Sequence, residues 1–124
     1  MTKRILVVED QEDLRGILRD LLTGSGYEVA EAADGSDGVA KAKSVRPDLI
    51  LMDIQLPVID GYEATRLIKA DPNLAATPVI AVSSFAMKGD EEKARASGCD
   101  SYVTKPYSPL QLLRLIQGFL GEGT

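Results

Sequence analysis

Four short apolar runs in this 124-residue chain each end on residues that can handle a phosphoryl group. Ile5-Leu6-Val7-Val8 leads into Glu9-Asp10, and Leu49-Ile50-Leu51-Met52 leads into Asp53. Val79-Ile80-Ala81-Val82 leads into Ser83-Ser84, and Tyr102-Val103-Thr104 leads into Lys105-Pro106. As neighbouring parallel strands, the four runs would bring their carboxyl ends to one sheet edge, where open α/β sheets bind their ligands. A carboxylate such as Asp53 can attack a phosphoryl donor and form an acyl phosphate. Both partners are anionic, and two unit charges ~4 Å apart repel by roughly 4 kcal/mol at an effective dielectric near 20. Glu9 and Asp10 add to that excess, so one of the three acids would tend to keep its proton. A divalent cation resolves the conflict. Mg²⁺, or Mn²⁺ in its place, takes oxygen ligands in an octahedron. Glu9, Asp10, Asp53 and a main-chain carbonyl just beyond Asp53, with Gln55 the nearest candidate, offer such a set. Lys105 is a compact cation for phosphoryl oxygens, and Ser83 and Ser84 are hydroxyls beside it. Three negative charges and one positive leave −2, which one divalent cation neutralises.

Each residue alone has a duller explanation. Acids at strand ends commonly cap the next helix, which is the usual meaning of an Asp10. Ser83 alone is a loop serine, Lys105 alone a solvated charge, and Tyr102 a half-buried aromatic with its hydroxyl at the rim. Those explanations give no reason for all four runs to end in complementary groups.

The elements that must hold these groups alternate five times between strand and helix, the pattern of a parallel sheet covered by helices. Strands are predicted over 4–8, 27–32, 49–53, 79–83 and 101–104. The third is apolar at four consecutive positions, as when both faces are covered. The first helix, over 12–22, carries Leu14, Ile17, Leu18, Leu21 and Leu22 at helical spacing, and Gly24-Ser25-Gly26 stops it. The second, over 36–45, ends before Pro47. Asp60 and Glu63 have capping-box spacing for a third helix. Ser108, Pro109 and Gln111 mark the start of a fifth that ends near Leu120. The fourth, over 87–97, has only Met87, Ala94 and Ala96 as apolar anchors. It should be among the least stable elements, and it sits beside the serines.

The bulk numbers bound the rest. A chain of 13.3 kDa with 44% hydrophobic and 27% charged residues is one globular domain, 1–124, with no repeat or linker. Nineteen acids against 14 bases, a net charge of −5, argue against direct nucleic-acid binding. No apolar run is long enough for a membrane span, and no secretory signal is visible. With a single cysteine, Cys99, and no histidine, an internal disulfide, Ser-His or Cys-His catalysis and the usual zinc ligands are excluded. Cys99 reads as a small buried hydrophobe at a strand entrance. Together these point to the cytoplasm.

Over essentially its whole length the chain resembles the receiver domain of two-component response regulators, the CheY-like group. The matching elements are Val-Val-Glu-Asp at 7–10, Leu-Met-Asp-Ile-Gln-Leu-Pro at 51–57 with Gly61, Val-Ser at 82–83, and Tyr-Val-Thr-Lys-Pro at 102–106. The stretch at 85–92 also resembles stand-alone receivers of the DivK cell-cycle type. The resemblance implies a flavodoxin-like (βα)5 α/β sandwich, its parallel five-stranded sheet in the order 2-1-3-4-5. It implies that Asp53 accepts a phosphoryl group from a histidine kinase or phosphotransfer protein. Glu9, Asp10, Asp53 and the Gln55 carbonyl would be the Mg²⁺ site, Lys105 the phosphoryl-binding lysine before a cis proline, and Ser83 with Tyr102 the switch pair. The surface of the fourth helix, fifth strand and fifth helix would meet a downstream protein. Such a protein is a signalling phosphoacceptor with at most slow self-phosphorylation and self-dephosphorylation, either monomeric or dimerising on phosphorylation. Ser84 stands where the family usually has a smaller residue, and residues 55 and 85 are variable positions near the hydrolytic water.

Three rivals share parts of this pattern. A flavodoxin-like electron carrier would need hydroxyls and amides in its first loop, where Glu9-Asp10-Gln11-Glu12-Asp13 would repel an anionic cofactor. A haloacid-dehalogenase-like aspartyl-phosphate phosphatase wants a second aspartate two residues after the nucleophile, and position 55 is glutamine. A binding module that is never phosphorylated would have no use for the acids, hydroxyl and lysine together.

Overall fold

The computed structural model describes residues 2–84 and 89–121. Their backbone alternates as β1 (Arg4–Val8), α1 (Glu12–Gly24), β2 (Glu28–Ala32), α2 (Gly35–Val45), β3 (Leu49–Asp53), α3 (Gly61–Lys69), β4 (Val79–Ser83), α4 (Asp90–Ala96), β5 (Ser101–Thr104) and α5 (Pro109–Leu120). Among the described residues five parallel strands form one sheet in the order β2-β1-β3-β4-β5. All carboxyl ends therefore lie along one edge.

Side chains alternate across the pleat and divide the interior into two layers. On one face Leu6, Val8, Ile50, Met52, Val79 and Ala81 pack with Ala42 of α2, Ala64 and Ile68 of α3, and Ala94 of α4. On the other, Ile5, Val7, Leu49, Leu51 and Ile80 pack with Leu18 and Leu22 of α1 and Leu112 and Ile116 of α5. The central strands β3 and β4 are buried at every position. That is the physical meaning of their unbroken apolar runs.

Caps and stops explain most boundaries. The Asp60 carboxylate accepts the Glu63 N–H at the start of α3, Asp34 does the same for Asp37 at α2, and Ser108 does so for Gln111 at α5. Helix α1 runs two residues past its predicted end, into Gly24, before Gly26 turns left-handed at φ 95°. Before Pro47 the chain leaves α2 through Arg46, which takes φ 50°.

Three expectations shift. Helix α4 begins at Asp90, after a left-handed Gly89, rather than at Met87, which lies outside the described residues together with Phe85, Ala86 and Lys88. Within Asp90–Ala96, Ala94 is the buried residue. β2 begins at Glu28, because Tyr27 instead accommodates the turn and sends its hydroxyl to the Gly121 carbonyl at 3.1 Å. Ile17, expected on the core stripe of α1, is 61% exposed. It lies on the flank of that stripe, turned along α1 toward Pro106 and Tyr107 rather than onto the sheet. Cys99 is buried 3.7 Å from the Thr65 hydroxyl, and burial pushes its thiol above the ordinary range. No described helix is long and apolar enough to cross a membrane.

Candidate functional site

At the sheet edge the strand ladders set the relative heights of the functional groups. Asp53 is the last residue of β3 and pairs with Val82 of β4, while Ser83 pairs with Thr104 of β5. The Lys105 N–H continues that ladder by donating to the Ser83 carbonyl at 2.7 Å. Glu9 follows β1 directly, its N–H still bonded to the Ala32 carbonyl of β2 at 3.0 Å. Backbone pairing thus carries residues distant in sequence to one crevice.

Carboxylate oxygens of Glu9, Asp10 and Asp53 lie within 4.8 Å of one another. Glu9 and Asp53 side chains are 4% exposed, while Asp10 stands at the open mouth. Lys105 Nζ donates to Glu9 Oε1 at 3.1 Å and to Asp53 Oδ2 at 3.2 Å, its own side chain 19% exposed. Burial pulls the ammonium pKa down. Hydrogen bonds and charge from Glu9 and Asp53 outweigh that pull and hold it above its ordinary 10.5. The Asp10 carboxyl is raised above 3.8, first by lost hydration, then by its hydrogen bond to Glu9 and by Glu9's charge. One lysine does not balance three acids, and Asp10 gives up its proton less readily for it.

The remaining carboxylate oxygens are directed by the main chain. The Gln55 N–H donates to Asp53 Oδ1 at 3.0 Å, and the Gln11 N–H donates to Glu9 Oε2 at 3.1 Å. Asp10 does not cap α1. The N-cap is Gln11, with no side-chain hydrogen bond, so the common structural use of an acid in that place is absent. The loop after Asp53 is held from below by Gly61. A Cβ there would lie 2.3 Å from the Asp53 carbonyl oxygen and 2.7 Å from Ile54 Cα, closer than any side chain permits. Its N–H instead bonds the Ile54 carbonyl at 2.9 Å. Val58 in the same loop takes φ 73° while 76% exposed, a strained conformation for a β-branched residue.

The donor set fits a hard divalent cation. Three carboxylates converge with negative charge in excess, and oxygen-only ligands suit such an ion better than a soft metal. Ser83 is fully buried at the end of β4, and Ser84 is exposed above it. The Ser84 N–H donates to Gln55 Oε1 at 3.2 Å, a side-chain bridge across the mouth that the sequence did not suggest. Tyr102 is half-buried on β5 against the α4 layer. The Lys105–Pro106 peptide is cis.

Two further side chains reach the site without any local sequence signal. Arg15 on α1 donates through Nη1 to the Glu9 main-chain carbonyl at 2.9 Å, and Glu31 on β2 holds its Nε at 3.3 Å. Sixteen residues separate that pair, so only the packing of α1 beside β2 brings them together. Beside the acids an open groove runs outward along Leu14, Ile17, Lys105, Pro106, Tyr107 and Pro109.

Comparison with known proteins agrees with this geometry. The model of the response regulator receiver domain matches residues 5–117. A relative from Brucella ovis, the polar-differentiation response regulator DivK, is 46% identical over 98% of this chain and 99% of its own, and the DivK of Brucella abortus matches equally. Among solved structures, the receiver domain of the sensor histidine kinase PA1611 from Pseudomonas aeruginosa has a magnesium ion coordinated in its active-site cleft. It shares 38% identity and a TM-score of 0.90 over 98% of this chain and 100% of its own. The Vibrio cholerae chemotaxis protein CheY4 superposes with a TM-score of 0.91 at 28% identity, over 96% and 99% of the two chains.

Proposed function

Because this chain belongs to the response regulator receiver family, we propose that Asp53 is its phosphoacceptor and that the groups around it sense the phosphoryl group's arrival. The observation that carries this reading is the Lys105 ammonium spanning Glu9 and Asp53 in a crevice with three converging carboxylates. The whole chain, 1–124, then acts as one receiver unit.

Asp53 is buried, with Oδ1 and Oδ2 already directed by the Gln55 N–H and by Lys105. In the transfer an Asp53 oxygen forms the new bond to phosphorus as the bond from phosphorus to the donor breaks. The donor is a phosphohistidine of a kinase or phosphotransfer protein, whose imidazole leaves with the bonding pair. Glu9, Asp10, Asp53 and the Gln55 carbonyl would hold Mg²⁺, which, when bound, offsets the charge of the phosphoryl oxygens. The magnesium in the PA1611 receiver cleft supports that choice of ion. Lys105 exchanges part of its contact with the acids for the phosphoryl oxygens. Ser83 offers its hydroxyl from the adjoining strand, and Ser84 lies next to it. Positioning and charge stabilisation are what phosphoryl transfer chiefly needs.

Output runs through the far side of the crevice. β5 is the edge strand, half-buried at all four positions, and a shallow groove along Tyr102, Tyr107, Gln111 and Leu115 lies between it and α5. The α4, β5 and α5 surface thus offers a partner apolar contact next to Tyr102, and Ser83 with Tyr102 couples it to Asp53. The groove beside Leu14 and Ile17 offers a protein donor apolar contact close to Lys105.

Acetyl phosphate with Mg²⁺ tests the assignment of the acceptor. One phosphoryl group should appear by intact mass, acetate leaving, and Asp53→Asn should abolish it. Continued labelling of a well-folded Asp53→Asn protein would refute the assignment. Sustained turnover of small phosphate esters would favour a phosphatase instead.

A further inference from the structure

The Glu9–Asp10 peptide joins two of the three acids of the pocket, and the orientation of its plane sets how their carboxylates diverge. Its N-terminal side is secured by the ladder, since the Glu9 N–H bonds Ala32. Its carbonyl lies past the end of β1, and among the described residues no backbone N–H is bonded to it. Arg15 supplies the donor. Its Nη1 reaches back 2.9 Å to the Glu9 oxygen, and its side chain is only 19% exposed.

The arginine is itself braced. Glu31 Oε1 accepts from Arg15 Nε at 3.3 Å, and Glu31 Oε2 accepts from Arg19 Nη1 at 3.5 Å. Lys41 of α2 donates to the Glu31 main-chain carbonyl and pairs with Asp37 at 3.4 Å. Glu31 therefore ties α1, β2 and α2 to the loop that presents the acids. An ordinary interelement ion pair would not need to end on that carbonyl. The guanidinium is planar, so Nη1 holds the Glu9 carbonyl while Nε holds the Glu31 carboxylate at a fixed spacing and angle, which the single rotating nitrogen of an ammonium does not impose.

The geometry points to Arg15, braced by Glu31, as a positioning residue: it fixes the Glu9–Asp10 peptide so that the Glu9, Asp10 and Asp53 carboxylates face one common cation. This rests on the proposed reading that the acids take a divalent ion. A group that orients ligands from behind typically matters 10- to 100-fold in metal affinity, roughly tenfold here because the contact is to backbone.

Calorimetric titration with MgCl₂ alone, on the full chain and on Arg15→Ala, Arg15→Lys and Glu31→Gln, separates this role from a structural one. Arg15→Ala should bind Mg²⁺ roughly tenfold more weakly. Its labelling rate by acetyl phosphate at saturating Mg²⁺ should fall by less than its affinity does. Arg15→Lys should stay impaired although it keeps the charge, and Glu31→Gln, which keeps an acceptor, should lose less than Arg15→Ala. Folded Arg15→Ala with the parent's Mg²⁺ affinity would overturn the inference, whatever its stability. Should that variant not fold, Arg15→Lys decides on the same criterion. A parent that binds no Mg²⁺ would refute the cation reading instead. In that event amide exchange at Asp10 and Gln11 in metal-free protein decides: faster exchange in the Arg15 variants supports the positioning, and unchanged exchange overturns it.

Discussion

Replacing Lys105 with methionine tests the electrostatics of the crevice most directly, because it keeps most of the stem and removes the charge. The ammonium has two partners, at 3.1 and 3.2 Å, and each such contact is worth about 5 kcal/mol at an effective dielectric near 20. Much of that is offset by the lost hydration of the ammonium and both carboxylates. Removing one member of a buried pair ordinarily costs about 3–5 kcal/mol, and the partial exposure of Lys105 favours the lower end, about 3 kcal/mol. With a urea slope near 2 kcal/mol/M, the midpoint of metal-free protein at pH 7 should drop by about 1.5 M. The cost should depend on protons and on metal. In the parent, the Lys105 ammonium is held above 10.5, so its contribution is fully present below 10.5 and disappears as the pH climbs through the raised value. The two proteins should converge there. Saturating Mg²⁺ should also narrow the gap, and the variant should bind Mg²⁺ at least as tightly as the parent, having lost a competing cation. Urea melts at pH 7 and above pH 10.5, with EDTA or with Mg²⁺, provide all of these comparisons. A constant deficit under every condition would mean that Lys105 acts by packing its stem, and the charge argument would fail. Even then, phosphorylation-dependent partner binding should be lost in Lys105→Ala; binding that persists would count against its role in the switch.

Asp10→Asn should stabilise the metal-free protein at pH 7 in thermal melts and weaken Mg²⁺ binding in titrations. The Asp10 carboxyl is raised above 3.8, so the folded state holds its proton through a window where the unfolded chain has released it, and stability falls as the pH rises through that window. The gain should vanish below 3.8, and an equal gain at all pH values would contradict this account. Val58→Asn should raise stability by about 1 kcal/mol, since asparagine tolerates the left-handed region at φ 73°, with acetyl phosphate labelling unaltered. A loss of stability would show that the exposed valine makes a contact the strain argument ignores. Gly61→Ala should cost about 2–3 kcal/mol in urea melts and slow labelling, because the new methyl meets the Asp53 carbonyl. The amides of α4, a helix in which Ala94 is the buried residue, should exchange quickly and slow with a beryllofluoride mimic; equal protection in both states would remove it as a moving part.

The chain's local grammar was legible without a structure wherever a short-range rule governs. Apolar runs at 49–53 and 79–83 are strands because both their faces are covered, and their bounds match the observed β3 and β4. Asp60 with Glu63 and Ser108 with Gln111 cap helices through contacts three residues apart, which any reader of sequence can see. The identity of the acids, hydroxyls and lysine at the strand ends was also readable, as was the chemistry those groups suit. Parallel pairing then accounts for their convergence, since carboxyl ends that share an edge must share a crevice. Tertiary structure decided what depends on rotation about an axis and on reach across elements. Ile17 sits at helical spacing with Leu18 and Leu21, yet the way α1 lies on the sheet leaves it outside. The Gln55 bridge to the Ser84 amide joins two loops, and the Arg15 grip on the Glu9 carbonyl is braced by Glu31 from another element. Neither has a spacing rule, because only the packing of one element on another determines which donor reaches which oxygen.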